Sequence, residues 1–218
     1  MFVKKFIFSI LFLWIVSISP AQYRFGISGG TMISSMTGKD FSNSNSPKIG
    51  MTIGFFYEYE FKRNFSLLFE PAFEQKGANY TYYPRYDTQV DVNNRLDYFT
   101  MPVMAKVNFP GKIDYYLTTG LSLSYLADFK SEIHAYTGGY ELPFEPFFPY
   151  TYTRIDAGAS AGFGIMWKEI FLDFRYIHGL RNIYNSEEDI PSIRNHVISV
   201  KLAFSFYRKK YLPCYKKL

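Results

Sequence analysis

Six ionisable residues recur at alternating positions within otherwise apolar or glycine-rich segments. They are Glu58, Glu70, Lys106, Asp173, Arg175 and Lys201. Charges of both signs at similar heights in a narrow interior would form either an ion path or proton relay, or a set of salt bridges that fills the space. Because an unpaired buried charge is very costly, we predict that these residues pair and act as a structural plug.

Two histidines fall on the opposite parity, among bulky side chains. A lipid-modifying hydrolase could use His178 or His196 as the base beside a serine nucleophile. The serines of the last segment, Ser199 and Ser205, lie on the other parity from His196. We therefore predict an amphipathic interface role for the histidines, no catalytic residues and no enzyme. Neither a metal-ligand cluster nor a phosphate-binding glycine loop is found, so no metal or cofactor is predicted.

The segment YELPFEPFFPYTYTR (140–154) is rich in aromatic residues and prolines. Exposed aromatic side chains on a proline-stiffened loop suit the binding of an extracellular protein or glycan. The alternative, which we favour, is a loop that folds over a mouth or extends a rim. The candidate binding surface consists of Tyr140, Phe144, Phe147, Phe148, Tyr150 and Tyr152.

Eight segments with period-two alternation must position these residues. GMTIGFFYEYEF (50–61) shows the pattern, which is typical of a β-strand with one apolar face. The segments are approximately 23–33, 48–61, 65–77, 96–109, 115–129, 155–167, 170–180 and 196–207. Short links alternate with the long links 34–47, 78–95, 130–154 and 181–195. Short periplasmic turns and long extracellular loops are typical of outer-membrane barrels.

The two faces of each segment differ in bulk, and this difference predicts which face meets lipid. In segment 115–129, Thr118, Gly120 and Ser122 alternate with Leu117, Leu121 and Leu123. The interior of an eight-stranded barrel is narrow and requires small side chains, whereas a soluble barrel would carry long charged side chains outside. We predict an all-β, eight-stranded antiparallel up-and-down transmembrane β-barrel of OmpA/OmpX-like size. A monomer in contact with outer-membrane lipid and lipopolysaccharide is expected.

The chain of 218 residues begins like an exported protein. Lys4 and Lys5 precede an apolar run, and Ser19-Pro20-Ala21 offers small residues for cleavage after Ala21. We predict a signal peptide at 1–21, a barrel at 22–207 and a basic periplasmic tail at 208–218. The formal net charge of +5 is too small and too interleaved with acids to indicate a nucleic-acid partner. Cys214 is the only cysteine, which excludes an internal disulfide.

Several segments together resemble the PorT-like outer-membrane β-barrel proteins of Bacteroidota. The resemblance rests on FGISGGTMISSMTG (25–38), KIGMTIGFFYEYEF (48–61), FSLLFEPAFEQKGANY (65–80), YFTMPVMAKVNF (98–109), YYLTTGLSLSYL (115–126), IDAGASAGFGI (155–165) and FRYIHGLRNI (174–183). It implies an eight-stranded outer-membrane barrel, and the namesake serves protein secretion. The tail RKKYLPCYKKL (208–218) departs from barrels that end at a final aromatic residue.

These observations favour one function and leave two alternatives. The leading hypothesis is a non-enzymatic membrane scaffold whose surface loops serve binding or envelope integrity. An accessory role in outer-membrane protein secretion is implied by the resemblance alone. A lipid-modifying enzyme would require an outward-facing serine near His178 or His196.

Overall fold

A computed structural model describes residues 22–38, 45–62, 64–85, 88–138, 140–142, 151–185 and 193–208. Its strands are β1 (Gln22–Thr37), β2 (Asn45–Lys62), β3 (Phe65–Phe69), β4 (Ala72–Arg85), β5 (Thr88–Phe109), β6 (Asp114–Thr137), β7 (Tyr140–Leu142), β8 (Thr151–Tyr152), β9 (Ile155–Trp167), β10 (Ile170–Gly179), β11 (Tyr184–Asn185) and β12 (Arg194–Arg208). Within these ranges no helix is long and apolar enough to cross a membrane. The predicted signal peptide and Cys214 lie outside them.

The strands close into a ring because the first and last strands of the chain pair with each other. β1 pairs antiparallel with β2 on one side and with β12 on the other. The ring continues from β2 through β3 and β4 to β5, then β6, β9, β10 and β12. Since β3 and β4 occupy one position in the ring, the wall has eight strand positions, which we call staves. The prediction of an eight-stranded, up-and-down antiparallel barrel is confirmed.

The third stave is interrupted between β3 and β4 at Glu70 and Pro71. Proline has no N–H for the ladder, but its carbonyl oxygen accepts a hydrogen bond of 3.0 Å from the Phe55 amide. The Glu70 amide donates to the Pro102 carbonyl oxygen at 3.2 Å. The inward parity therefore continues across the break, and Leu68, Glu70 and Ala72 all remain buried.

The wall separates small inward side chains from bulky outward ones. Along β6, Leu117, Leu121 and Leu123 are 53%, 62% and 59% exposed on the outer face. Between them, Thr118, Ser122 and Ser124 are only 4%, 5% and 2% exposed. Large apolar side chains exposed around a closed barrel form the band that contacts hydrocarbon.

The short connections lie together at one end of the barrel, which we assign as periplasmic. Two of these turns contain a residue with positive φ, Asn64 at 71° and Lys168 at 56°. Exposed aromatic side chains gather at this end, with Tyr115 and Trp167 on the outer face and Tyr23 stacked on Tyr57 at 6.5 Å between ring centroids. Such a girdle is typical of a membrane interface.

On the extracellular side the strands are longer than the sequence predicts, and part of the expected loops is β-structure. The expected loop 78–95 is a hairpin in which β4 runs to Arg85 and β5 begins at Thr88, and β6 continues to Thr137. The loop assignment is wrong there because Val90, Val92 and Ala135 form a buried apolar cluster, with Tyr80 and Ile133 packed against it. Burial of these side chains stabilises the ladder beyond the apolar band.

The apolar band predicts that a charge at an outward position of β6 destabilises the barrel. Leu121→Arg should lower the free energy of unfolding by about 2–4 kcal/mol, because a cation would face hydrocarbon at mid-bilayer. Urea titrations in phosphatidylcholine bilayers can follow Trp167, the only tryptophan after Ala21. The matched control is Tyr140→Arg on the exposed β7, where little change is expected. Equal effects at the two positions would contradict this membrane placement.

Candidate functional site

The lumen near the periplasmic end contains a carboxylate held by two bases. Glu58 of β2 lies 3.3 Å from Arg24 Nη1 and 3.0 Å from Lys106 Nζ. It also accepts a hydrogen bond of 2.7 Å from Ser66 Oγ. All four residues are buried. Ion pairs in such a site depend on additional hydrogen bonds to offset desolvation, and Ser66 supplies one.

Aromatic rings surround the cations of this first cluster. Lys106 Nζ lies 4.2 Å from the ring centroid of Tyr116 and 5.0 Å from that of Phe171. Tyr116 has Gly164 as its cross-strand partner, and a Cβ added at Gly164 would lie only 2.2 Å from Tyr116 Cζ. Glycine at this position therefore leaves the space that the tyrosine ring occupies. The rings hold the cation electrostatically in a dry environment.

A second cluster lies next to the first and is centred on Glu70. Its carboxylate contacts Lys201 Nζ, accepts a hydrogen bond from Arg175 Nη1 at 2.9 Å, and accepts another from Ser28 Oγ at 3.0 Å. Arg175 Nη2 lies 3.0 Å from Asp173 Oδ1. The two clusters are linked by Tyr116, whose hydroxyl donates to Asp173 Oδ2 at 3.2 Å.

A third cluster lies nearer the extracellular side. Lys76 Nζ is 3.1 Å from Glu74 Oε2, and Thr100 Oγ1 donates to the same carboxylate at 2.9 Å. Lys76 also lies 4.9 Å from the ring centroid of Tyr98. At a similar level, Asn195 Nδ2 donates to Asp156 Oδ2 at 2.9 Å.

The six predicted lumen charges all take part in these contacts. The charged residues that sequence reasoning left out of the set are Arg24, Glu74, Lys76 and Asp156. Their signal was visible, since Glu74 and Lys76 continue the inward parity of Glu70 in steps of two.

Little open space remains in the part of the lumen that these charges occupy. A cavity of about 30 Å³ lies among the first two clusters. This is room for about two water molecules. Above the third cluster, a buried apolar cluster closes the interior; it consists of Met36, Ala78, Leu96, Tyr98, Leu126, Ile183, Tyr184 and Ile193. The described geometry can hold charges in pairs, and it offers no wide aqueous path through these layers.

A polar cleft lies on the extracellular hairpin of β4 and β5. It has a volume of about 240 Å³ and is lined by Ser46, Asn79, Tyr80, Thr81, Asp91, Val92, Asn93 and His134. Thr81 Oγ1 donates to Asp91 Oδ1 at 2.6 Å. We call this feature the hairpin cleft. Its hydroxyl, amide, carboxylate and imidazole groups can form hydrogen bonds with a polar ligand.

The predicted aromatic loop surface is only partly described. Tyr140 on β7 is 80% exposed. Tyr152 on β8 instead stacks on Tyr184 at 4.9 Å between ring centroids and packs against the apolar cluster. Phe144, Phe147, Phe148 and Tyr150 lie outside the described residues. Tyr140 and Tyr152 therefore stand in different environments, one exposed and one packed.

Comparison with known proteins identifies the family. Residues 20–185 match the family model described as the outer membrane protein beta-barrel domain. The chain belongs to this family. A search of curated proteins finds no match. Membership of this family places the chain in the outer membrane. Solved structures of outer-membrane barrels are also similar to it in fold.

Three of these solved structures are weakly similar in sequence. The attachment invasion locus protein Ail of Yersinia pestis is 12% identical, with 84% of this chain and 98% of that chain covered and a TM-score of 0.43. Neisserial surface protein A is 16% identical, with coverages of 84% and 97% and a TM-score of 0.43. OprG of Pseudomonas aeruginosa is 10% identical, with coverages of 86% and 95% and a TM-score of 0.43.

Two of the three histidines, those of β10 and β12, meet on the outer surface of the barrel. His178 of β10 and His196 of β12 are direct cross-strand partners, with ring centroids 4.7 Å apart. The Tyr176 hydroxyl and His196 Nδ1 are 3.0 Å apart and share a hydrogen bond. On the other side of β12, His196 is paired with Ser35 of β1. The sequence does not reveal this neighbour, because Ser35 and His196 lie on the first and last strands of the chain.

Removing the central carboxylate of the second cluster should destabilise the barrel strongly. Glu70→Gln leaves Arg175 and Lys201 without their shared anion, which costs about 3–5 kcal/mol for a buried pair. Urea unfolding in bilayers, followed by Trp167 fluorescence, measures this loss. Adding Lys201→Met should recover part of it, since Arg175 keeps Asp173 as a partner whereas Lys201 loses its ion pair with Glu70.

The matched control for this experiment is Glu169→Gln in the exposed β9–β10 turn. It should leave the unfolding midpoint unchanged. A Glu70→Gln variant as stable as the Glu169→Gln variant would contradict the pairing described for the lumen.

The ion pair between β6 and β7 predicts a pH dependence outside the membrane. His134 Nδ1 donates to Glu141 Oε1 at 2.7 Å, and this hydrogen bond raises the pKa of His134 above its ordinary value. The charged pair is therefore present at low pH and is lost as the pH rises through the raised pKa. Glu141→Gln should lower the pKa of His134, as measured by NMR titration of its imidazole in nanodiscs. Glu132→Gln should lower it less, and a pKa unchanged by Glu141→Gln would contradict the pair.

Proposed function

We propose that the protein is a non-enzymatic outer-membrane scaffold that presents a binding surface on its extracellular strands. The observation that carries this proposal is the contrast between the two parts of the barrel. Within the membrane the lumen is filled by paired charges and closed by an apolar cluster. Outside the membrane the same wall continues as an ordered hairpin with a polar cleft.

The hairpin cleft is suited to an extracellular glycan or a polar protein segment. Strands β4, β5 and β6 pair along the hairpin, so the lining side chains project from a fixed ladder rather than from a free loop. A site held in place by secondary structure loses less conformational entropy when it binds a ligand. Asp91 and Asn93, which follow each other with period two on β5, supply acceptors and donors on one face.

Two alternative functions have separate support. An accessory role in protein secretion is supported by the resemblance to PorT-like proteins. A lipid-modifying enzyme is supported by the position of Ser35 opposite His196 on the outer face. The third group of the arrangement is a tyrosine hydroxyl, however, and a hydroxyl stabilises an imidazolium less well than the carboxylate of a catalytic triad. The scaffold therefore remains our leading proposal.

Ligand binding by the hairpin cleft can be tested with purified barrels in nanodiscs. Screening against the surface polysaccharides and secreted proteins of the source bacterium should find a saturable ligand. The Asn79→Ala/Asp91→Ala variant should bind it at least tenfold more weakly, because two lining hydrogen-bonding groups are removed. Arg181→Ala, in the exposed segment that follows β10 on the other side of the ring, is the matched control and should bind normally. Equal binding by all three proteins would overturn the assignment of the cleft.

A deletion strain separates the scaffold from its alternatives. We expect increased sensitivity to detergent with an unchanged secreted proteome and unchanged lipid A acylation, and rescue by the wild-type chain. Loss of secreted proteins would support the secretion role instead. An altered acyl pattern that the wild type restores and Ser35→Ala does not would establish the enzyme and overturn the scaffold.

A further inference from the structure

The histidines belong to a patch at a defined height on the outer wall. Tyr176 is paired with Ile198, and Ile198 with Ile33, at the upper edge of the apolar band. His178 and His196 are the next outward positions toward the extracellular side, and Ser35 completes the row. We call Ser35, Tyr176, His178, Arg194 and His196 the histidine patch. It lies where the hydrocarbon of the outer leaflet gives way to headgroups.

The side chains of the histidine patch are close enough to share one ligand. The imidazole rings of His178 and His196 are 4.7 Å apart, at an interplanar angle of 66°. Tyr176 uses only one ring nitrogen of His196. The second nitrogen of that ring and one nitrogen of the His178 ring can each donate a hydrogen bond from the neutral imidazole. Arg194 lies two residues from His196 on the same face of β12.

The patch contains one permanent cation, Arg194, and its own strands supply no carboxylate on this face. The sequences of β1, β10 and β12 contain one acidic residue, Asp173. Asp173 is buried in the lumen, where it contacts Arg175. Among the described residues, the outward face of these three staves therefore gathers an arginine and two histidines without a carboxylate beside them.

The opposite side of the rim shows the contrast. There, Arg95 pairs with Asp97 at 2.9 Å, and His134 pairs with Glu141 at 2.7 Å. Basic groups on that side thus have acidic partners from the chain. Among the described residues, the histidine patch has no carboxylate partner of this kind.

We propose that the histidine patch binds the phosphate group of a lipid in the outer leaflet. Guanidinium and imidazole N–H groups and the Ser35 hydroxyl are donors that suit phosphate oxygens. A lipid is the source because the patch directly adjoins the apolar band, where the acyl chains of the same molecule contact Ile33 and Ile198. The inference rests on the membrane placement of the barrel and does not depend on a ligand in the hairpin cleft.

Lipid retention tests the proposal directly. Barrels in nanodiscs of phosphatidylcholine containing either phosphorylated lipid A or its dephosphorylated form are examined by native mass spectrometry. The wild type should retain phosphorylated lipid A at least tenfold better than the dephosphorylated lipid. The His178→Ala/Arg194→Ala/His196→Ala variant should lose this preference. Arg95→Ala, which removes a rim arginine that already pairs with Asp97, is the matched control and should keep it.

Two further arms distinguish the sources of phosphate and the role of the serine. Inorganic phosphate, titrated against imidazole NMR signals of barrels without lipid A, should cause no saturable shift at millimolar concentration. Ser35→Ala should retain the lipid with only a modest loss. Equal retention by the triple variant, equal retention of the dephosphorylated lipid, or saturable binding of free phosphate would each overturn the proposal. An unchanged unfolding midpoint in urea titrations of the same variants shows that a loss of retention is confined to the patch.

Discussion

The narrowness of the closed wall is the constraint on which the rest of the structure depends. Eight staves enclose an interior that only side chains can fill, so every charge placed inside must find its partner there. Glu58 and Glu70 each hold two bases, and Tyr116 joins the two groups through Asp173. The charges described in the lumen thus fill its interior as partnered groups.

The side chains in these layers also fit together in volume. Phe171 packs edge-on against Phe56 at 5.4 Å, while Arg24 lies over its ring at 5.2 Å. Space for Tyr116 exists only because Gly164 has no side chain. Phe56 and Tyr116 therefore lie beside glycines, and Phe171 lies against the flat Arg24 cation.

Much of this architecture follows from the sequence, and the remainder depends on distances that a sequence does not contain. Period-two alternation is a local property, so strand identity and the inward parity of Glu70 or Lys201 can be predicted from it. The pairing of particular charges depends on the stagger between staves, which brings Glu70 to Arg175 across 105 positions of chain. Ser35 escaped notice for the same reason, because its partner His196 lies on the opposite end of the chain.

The hairpin of β4 and β5 shows a different limit. Polar residues and turn formers in 78–95 resemble a loop by composition, yet Val90 and Val92 alternate within it and are buried. Tertiary packing against Ala135 of β6 decides the outcome. The packed residue Tyr152 is a similar case, since its aromatic character alone does not distinguish a ligand contact from an interior contact with Tyr184.

The seam between β1 and β12 has a consequence for biogenesis. It joins residues at the two ends of the described chain, such as Ile27 and Phe204. Lys201 arrives with the final stave, so Glu70 lacks one of its two cations until the seam shuts. A sheet in which β12 has not yet paired with β1 would thus keep incompletely paired charges and an open edge. Closure of the barrel removes both. Assembly of the wall and neutralisation of its interior are the same event, which favours all-or-none insertion over a ladder of stable intermediates.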